Sequence, residues 1–109
     1  MEEWEITIKD YTMYIPTIKY ESQEEFTTVM SDHAHDIHMR TLYGIDKAFN
    51  TNNDYVIIAY LETADSLAEL GIPDDVWIDN LEKSLDYFEE IEDYTRCQEV
   101  VQLIKKLKK

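Results

Sequence analysis

Apolar positions recur along this chain with two different periods. Trp4, Ile6 and Ile8 alternate with Glu5, Thr7 and Lys9, the period of two of a half-buried strand. Residues 11–20 are rich in β-formers (Tyr11, Thr12, Tyr14, Ile15, Thr17, Ile18), and Pro16 among them suits a sheet edge. Together these predict a short N-terminal β-hairpin. The period then changes. Phe26, Val29, Met30, His33, Ile37, Leu42, Ile45 and Phe49 recur at steps near three or four, and Ser22 stands three residues before Glu25 in a capping-box spacing. This predicts one long central helix over residues 22–49, which Gly44 would bend or end early.

After the polar break at residues 50–54, Tyr55-Val56-Ile57-Ile58-Ala59-Tyr60-Leu61 is an apolar run that period alone does not assign. Its β-branched cluster favours a central strand. Ile57, Leu61, Ala64, Ala68 and Gly71 also follow a helical step, with Asp54 as a cap. The expectation is a strand over residues 55–61, then a helical or irregular stretch to Gly71. Pro73 with Asp74 and Asp75 opens the next helix, since proline suits a first turn and carboxylates meet the positive end of the helix dipole. Trp77, Leu81, Leu85, Phe88 and Ile91 form its apolar stripe. A turn near residues 92–94 leads to a last stripe of Cys97, Val100, Val101, Ile104 and Leu107. Two amphipathic helices joined this closely form an antiparallel αα-hairpin. The expected fold is one α+β domain over residues 1–109, mostly helical.

Residues 74–107 resemble one tetratricopeptide unit. Trp77 and Leu81 take the places of the family's bulky aromatic and leucine. Tyr94 stands at the turn aromatic, and Cys97 takes the small-residue place of the second helix. Glu82 stands where the family has glycine, and no second copy of the repeat follows. The resemblance implies a protein-binding scaffold.

Composition changes the picture through charge. Twenty-four acidic residues stand against ten basic ones, a formal net charge of −14. Residues 54–93 hold thirteen carboxylates and one base, Lys83, before the sign reverses at Lys105, Lys106, Lys108 and Lys109. Such a surface repels nucleic acid and anionic lipid, so neither is expected as a direct partner. Eight tyrosines and two tryptophans place the charge on a folded body rather than a disordered tail. Cys97 is the lone cysteine, which suits a reducing compartment. The start Met1-Glu2-Glu3-Trp4-Glu5 is acidic where a secretory leader is basic and then apolar. The expected setting is the cytoplasm of a bacterium or of an infected host cell.

Asp75, Asp79, Glu82, Asp86, Glu89 and Asp93 advance by four, three, four, three and four, the spacing of one helix face. On a continuous helix the row would span roughly 27 Å. Like charges at these steps repel, so the arrangement favours a basic partner over stability. A spaced row of anions can imitate a phosphate backbone, and Tyr87 beside it is the candidate apolar anchor. The expected function is therefore non-catalytic: an acidic adaptor or inhibitor, of the kind phages direct at host proteins, that docks on a basic surface of a partner protein, a nucleic-acid-binding protein being the candidate where the row imitates nucleic acid. The alternative is a peptide- or helix-binding subunit that uses the tetratricopeptide-like hairpin. The lysine tail could also meet the acidic face of a second copy and favour a homodimer.

The segment Asp32-His33-Ala34-His35-Asp36-Ile37-His38 holds every histidine of the chain. It is similar to the His-X-His-X-Asp-His pattern of metallo-hydrolases, with Asp36 one place early. On a helix His35 and His38 lie one turn apart, so Asp32, His35 and His38 are the candidate ligands of a divalent metal and of a metal-dependent enzyme. Those enzymes draw further ligands from larger scaffolds, and no metal or cofactor is expected here. No nucleophile motif is present: Cys97 falls on an apolar face, and two glycines do not make a phosphate-cradling loop.

Overall fold

The computed structural model describes Ile15 and residues 17–109. The predicted strand at residues 4–9 and most of the predicted N-terminal hairpin lie outside the described residues. The elements run β1 (Thr17–Lys19), α1 (Gln23–Asp32), α2 (Ala34–Asn50), β2 (Tyr55–Glu62), β3 (Leu67–Pro73), a 3-10 turn (Asp74–Val76), α3 (Trp77–Glu90) and α4 (Tyr94–Leu107). The fold is α+β and mostly helical. The described strands form one sheet in the order β1-β2-β3. β1 pairs parallel with β2, from Thr17 opposite Tyr60 to Lys19 opposite Glu62, so α1 and α2 form the crossover between them. β3 returns antiparallel to β2.

The apolar run at residues 55–61 is a strand because it lies in the middle of this sheet. Val56, Ile58 and Ala59 are buried, and a bulge at Ile58 shifts the register between Ile57 and Ala59. The helical or irregular reading of the stretch to Gly71 is corrected: Leu67–Pro73 is a strand, paired along its length with β2. Leu67, Ala68 and Glu69 are exposed, so they carry no inward–outward alternation that would mark a strand in sequence. The turn before β3 is built by Thr63. Its backbone N–H donates to the Ser66 carbonyl at 2.9 Å, and its hydroxyl accepts from the amides of Asp65 and Ser66 at 3.3 and 3.1 Å.

The expected long helix is two helices. His33 separates α1 from α2 at φ −101° and ψ 11°. The hydrogen-bond ladder continues on both sides of it, from the His33 amide to Val29 and from the Ile37 amide to His33. The apolar period therefore passes through a break it does not register. α1 begins at the predicted cap, with the Glu25 amide donating to the Ser22 hydroxyl at 3.1 Å. The return bond goes one residue further back than in a standard capping box: Glu25 Oε1 accepts from the Glu21 amide at 2.6 Å.

Gly44 does not end α2, which continues to Asn50. A Cβ at this position would stand 2.7 Å from Val56 Cγ1. The glycine is there so that α2 can approach β2 closely. α2 is covered on more than one side: it packs on β2, α3 and α4, and Met39, Leu42, Ile45 and Ala48 join the main core. α3 and α4 form the predicted αα-hairpin and add Trp77, Leu81, Phe88, Cys97, Val100 and Leu103 to the same core. The stripes need two adjustments. Leu103 is buried while Val101 is 37% exposed, and Ile91 is 44% exposed past the end of α3. No helix among the described residues is long and apolar enough to cross a membrane.

Candidate functional site

α3 is the element on which the candidate residues converge. Its apolar face, Trp77, Leu81, Ser84 and Phe88, is buried. The opposite face presents Asp79, Glu82, Asp86 and Glu89, all exposed. These four share one helix and lie three or four residues apart, as the sequence predicts. They span about 15 Å. The two ends of the predicted row are placed differently. Asp75 belongs to the 3-10 turn before α3. Asp93 lies beyond α3, after Glu92 in the left-handed region at φ 62°, where it caps α4. Its Oδ1 accepts from the Arg96 amide at 3.3 Å. The uninterrupted helical row is therefore four carboxylates long, and the expected span of six is corrected to it.

The four carboxylates enter no ion pair among the described residues. Ion pairs form elsewhere among the described residues, as between Arg96 Nε and Glu99 Oε1 at 3.9 Å and between Lys106 Nζ and Asp46 Oδ1 at 3.8 Å. α3 also has no basic residue in its last turn. Glu89 and Glu90 stand instead in that last turn, where the dipole is negative. A carboxylate there opposes the dipole by about 0.3–1 kcal/mol at low ionic strength.

Tyr87 is not the free anchor that its place beside the row implies. It is half-buried, and its hydroxyl lies 3.1 Å from His35 Nδ1. Its ring stacks on His38 with centroids 4.5 Å apart at 19°, and meets Phe88 edge to face at 5.4 Å. Burial first, then the charges of Asp36 and Asp93, push its phenol above the ordinary value. Tyr87 is thus turned toward α2 and helps hold the α2–α3 seam.

The histidines serve the same seam. His38 Nδ1 meets the fully buried Ser84 hydroxyl at 2.7 Å. Burial, then the neighbouring His35, lowers the His38 pKa from 6.5. Asp32 ends α1, on the far side of the His33 break. Among the described residues, no three His, Cys, Asp or Glu side chains come together to hold a metal, so Asp32, His35 and His38 do not form the candidate ligand set. The i, i+3 spacing of His35 and His38 is used to reach Tyr87 and Ser84. The link between these histidines and α3 joins residues about fifty positions apart, and no local pattern announces it.

Two clefts flank the hairpin. One, of about 210 Å³, lies between α2 and α4 and is lined by Leu42, Tyr43, Asp46, Glu99, Leu103 and Lys106 among others. Its polar groups engage one another. Tyr43 donates to Glu99 Oε1 at 2.7 Å, and Lys106 pairs with Asp46 across it. Burial and the Glu99 carboxylate hold the Tyr43 phenol well above its ordinary value. The other cleft, of about 360 Å³, runs between α3 and α4 on the side of Leu85, Cys97 and Val101. Cys97 is buried, and burial followed by Glu89 and Asp93 pushes its thiol pKa up, away from a reactive thiolate.

The tetratricopeptide-like residues sit in an αα-hairpin that packs on α2 and the core rather than on a second hairpin of its kind. Trp77, Leu81 and Cys97 are buried there, and Tyr94 is 63% exposed. No family model, curated protein or solved structure matches the chain.

Proposed function

We propose that this protein is a non-catalytic binding protein that docks the acidic face of α3 on a basic surface of a partner protein. The observation that carries the reading is the placement of Asp79, Glu82, Asp86 and Glu89. They are exposed, three or four residues apart and without ion pairs among the described residues, and Glu89, with Glu90 beside it, lies in the last turn, where negative charge opposes the dipole. Helix stability alone favours lysine or arginine at those last positions. A basic partner relieves the repulsion and gains steering from the same charges. Four charges over about 15 Å are sparser than a DNA duplex, which carries one per about 1.7 Å. The face therefore matches a cluster of basic side chains better than a full nucleic-acid groove. The expected setting is the cytoplasm.

The test is affinity capture from cells with three forms of the full chain. These are the wild type, Asp79→Lys/Glu82→Lys/Asp86→Lys, and the control Glu21→Lys/Asp65→Lys/Glu69→Lys, whose positions are also exposed. A basic protein should be retained by the wild type and the control and lost from the α3 triple. The interaction should weaken as salt shortens the screening length from about 10 Å at 0.1 M. Equal loss in both triples assigns the effect to net charge. Equal retention discards the reading.

A further inference from the structure

The groove between α3 and α4 adds a shape to this charge. Its floor is Leu85, half-buried, with Cys97 and Val101. Val101 is 37% exposed, and Tyr94, seven residues earlier on the same stripe of α4, is 63% exposed. Two large apolar side chains, two turns apart on one helix, thus face outward beside a shallow trough. Glu89 lines the trough on the α3 side, with Glu82 and Asp86 on the exposed face behind it. Gln98, Gln102 and Lys105 line it on the α4 side. One rim is anionic, and the other is neutral with a cation toward its end.

We propose that this groove receives an amphipathic helix of a partner protein, with apolar residues at i, i+3 or i+4 and i+7 and with lysine or arginine along one flank. The proposal rests on the acidic-face reading and names the kind of element that docks there. A trough between two antiparallel helices accepts a helix by ridge-into-groove packing, and apolar anchors at helical steps match a floor of this kind. The charge asymmetry of the rims orients the occupant. Its cationic flank lies toward α3, away from Lys105, and its neutral flank toward Gln98 and Gln102.

A second copy of the chain offers no such helix among the described residues. α4 carries the lysines, but its exposed apolar residues, Tyr94 and Val101, border the groove itself, its other apolar side, Cys97, Val100 and Leu103, is buried in its own core, and Lys106 is paired with Asp46. α1 has an accessible apolar side in Phe26, Val29 and Met30, but its charges, Glu24, Glu25 and Asp32, have the same sign as the rim.

The experiment uses two fluorescent synthetic peptides of about 18 residues, five helical turns, with identical leucine and lysine content. In one the leucines share a helix face, and in the other they are spread around it. Binding to the full chain is followed by anisotropy. The amphipathic peptide should bind at least about tenfold more tightly than the spread one. Val101→Gln, which leaves the charge unchanged at an exposed position, should reduce the amphipathic peptide to the level of the spread peptide, and Tyr94→Ser should act in the same direction. Asp79→Lys/Glu82→Lys/Asp86→Lys should weaken both peptides alike. Equal affinities of the two peptides, or an unchanged preference in both Val101→Gln and Tyr94→Ser, overturn the groove proposal. A loss of binding in the α3 triple still sustains the acidic face in that case. No loss in the triple overturns the acidic face itself. A stable dimer by sedimentation that Val101→Gln dissociates assigns the groove to a second copy and overturns the partner helix.

Discussion

The His38 imidazole and the Ser84 hydroxyl meet at 2.7 Å across the seam between α2 and α3. Ser84 is fully buried within the otherwise apolar face of α3, and His38 is its hydrogen-bond partner. The pair satisfies two groups that would each be costly to bury alone. His35, Tyr87 and Phe88 pack around it.

This pair makes stability depend on pH in a definite direction. The His38 pKa is lowered from 6.5 in the fold, so the unfolded chain binds the proton more readily. The contribution of His38 is therefore complete above pH 6.5 and is lost as the pH falls from there through the folded-state value. Urea unfolding between about pH 7.5 and 5.5 should show this slope, and His38→Gln should flatten it. A wild-type slope unchanged in His38→Gln would place the titration elsewhere.

Ser84→Ala leaves the half-buried imidazole without its hydroxyl partner and should cost about 1–3 kcal/mol. His38→Phe with Ser84→Ala, which removes both polar groups and keeps an aromatic ring on Tyr87, should cost less than the sum of the single changes. A double-mutant cycle in urea measures this directly.

Gly44→Ala should destabilise the fold despite alanine's better helix propensity. The new methyl would meet Val56 Cγ1 at 2.7 Å in a packed interface, an overpacking cost of about 1–3 kcal/mol. Val56→Ala in the same chain should recover part of the loss. A stabilising Gly44→Ala would mean that α2 and β2 are not in this close contact.

Leu81→Ala should cost roughly 2–5 kcal/mol, because Leu81 is fully buried where α3 meets the core. Trp77→Phe tests a separate bond. Trp77 Nε1 donates to the Ile72 carbonyl at 3.0 Å and ties the start of α3 to the end of β3. Its loss should cost about 1–3 kcal/mol beyond any packing change. Thermal or urea unfolding of both variants checks the register of α3.

Direct binding to DNA or RNA should be undetectable at about 0.15 M salt, since a net charge of −14 repels phosphate. A fluorescence titration with single- and double-stranded oligonucleotides is the check. Tight, competable binding would contradict the acidic-face reading.

Sequence alone determined the features that depend on near neighbours. The Ser22 cap, the αα-hairpin and the shared face of Asp79, Glu82, Asp86 and Glu89 follow from residues within a few turns of one another. Periodicity and capping are local, and here the fold did not override them. Tertiary structure decided the rest. Leu67–Pro73 became a strand because β2 supplied its hydrogen bonds, although its outward residues show no alternation. The central helix divided at His33 while its apolar period ran on. Asp75 and Asp93 left the row because the chain turns at both ends of α3, at the 3-10 turn and at the positive φ of Glu92. Tyr87 and the histidines looked like an anchor and a ligand cluster while each was viewed in its own segment. Once α2 lay against α3, Tyr87 stacked on His38, and Ser84 took up the imidazole nitrogen. Which polar groups are buried together is set by long-range packing, and a linear pattern carries no record of it.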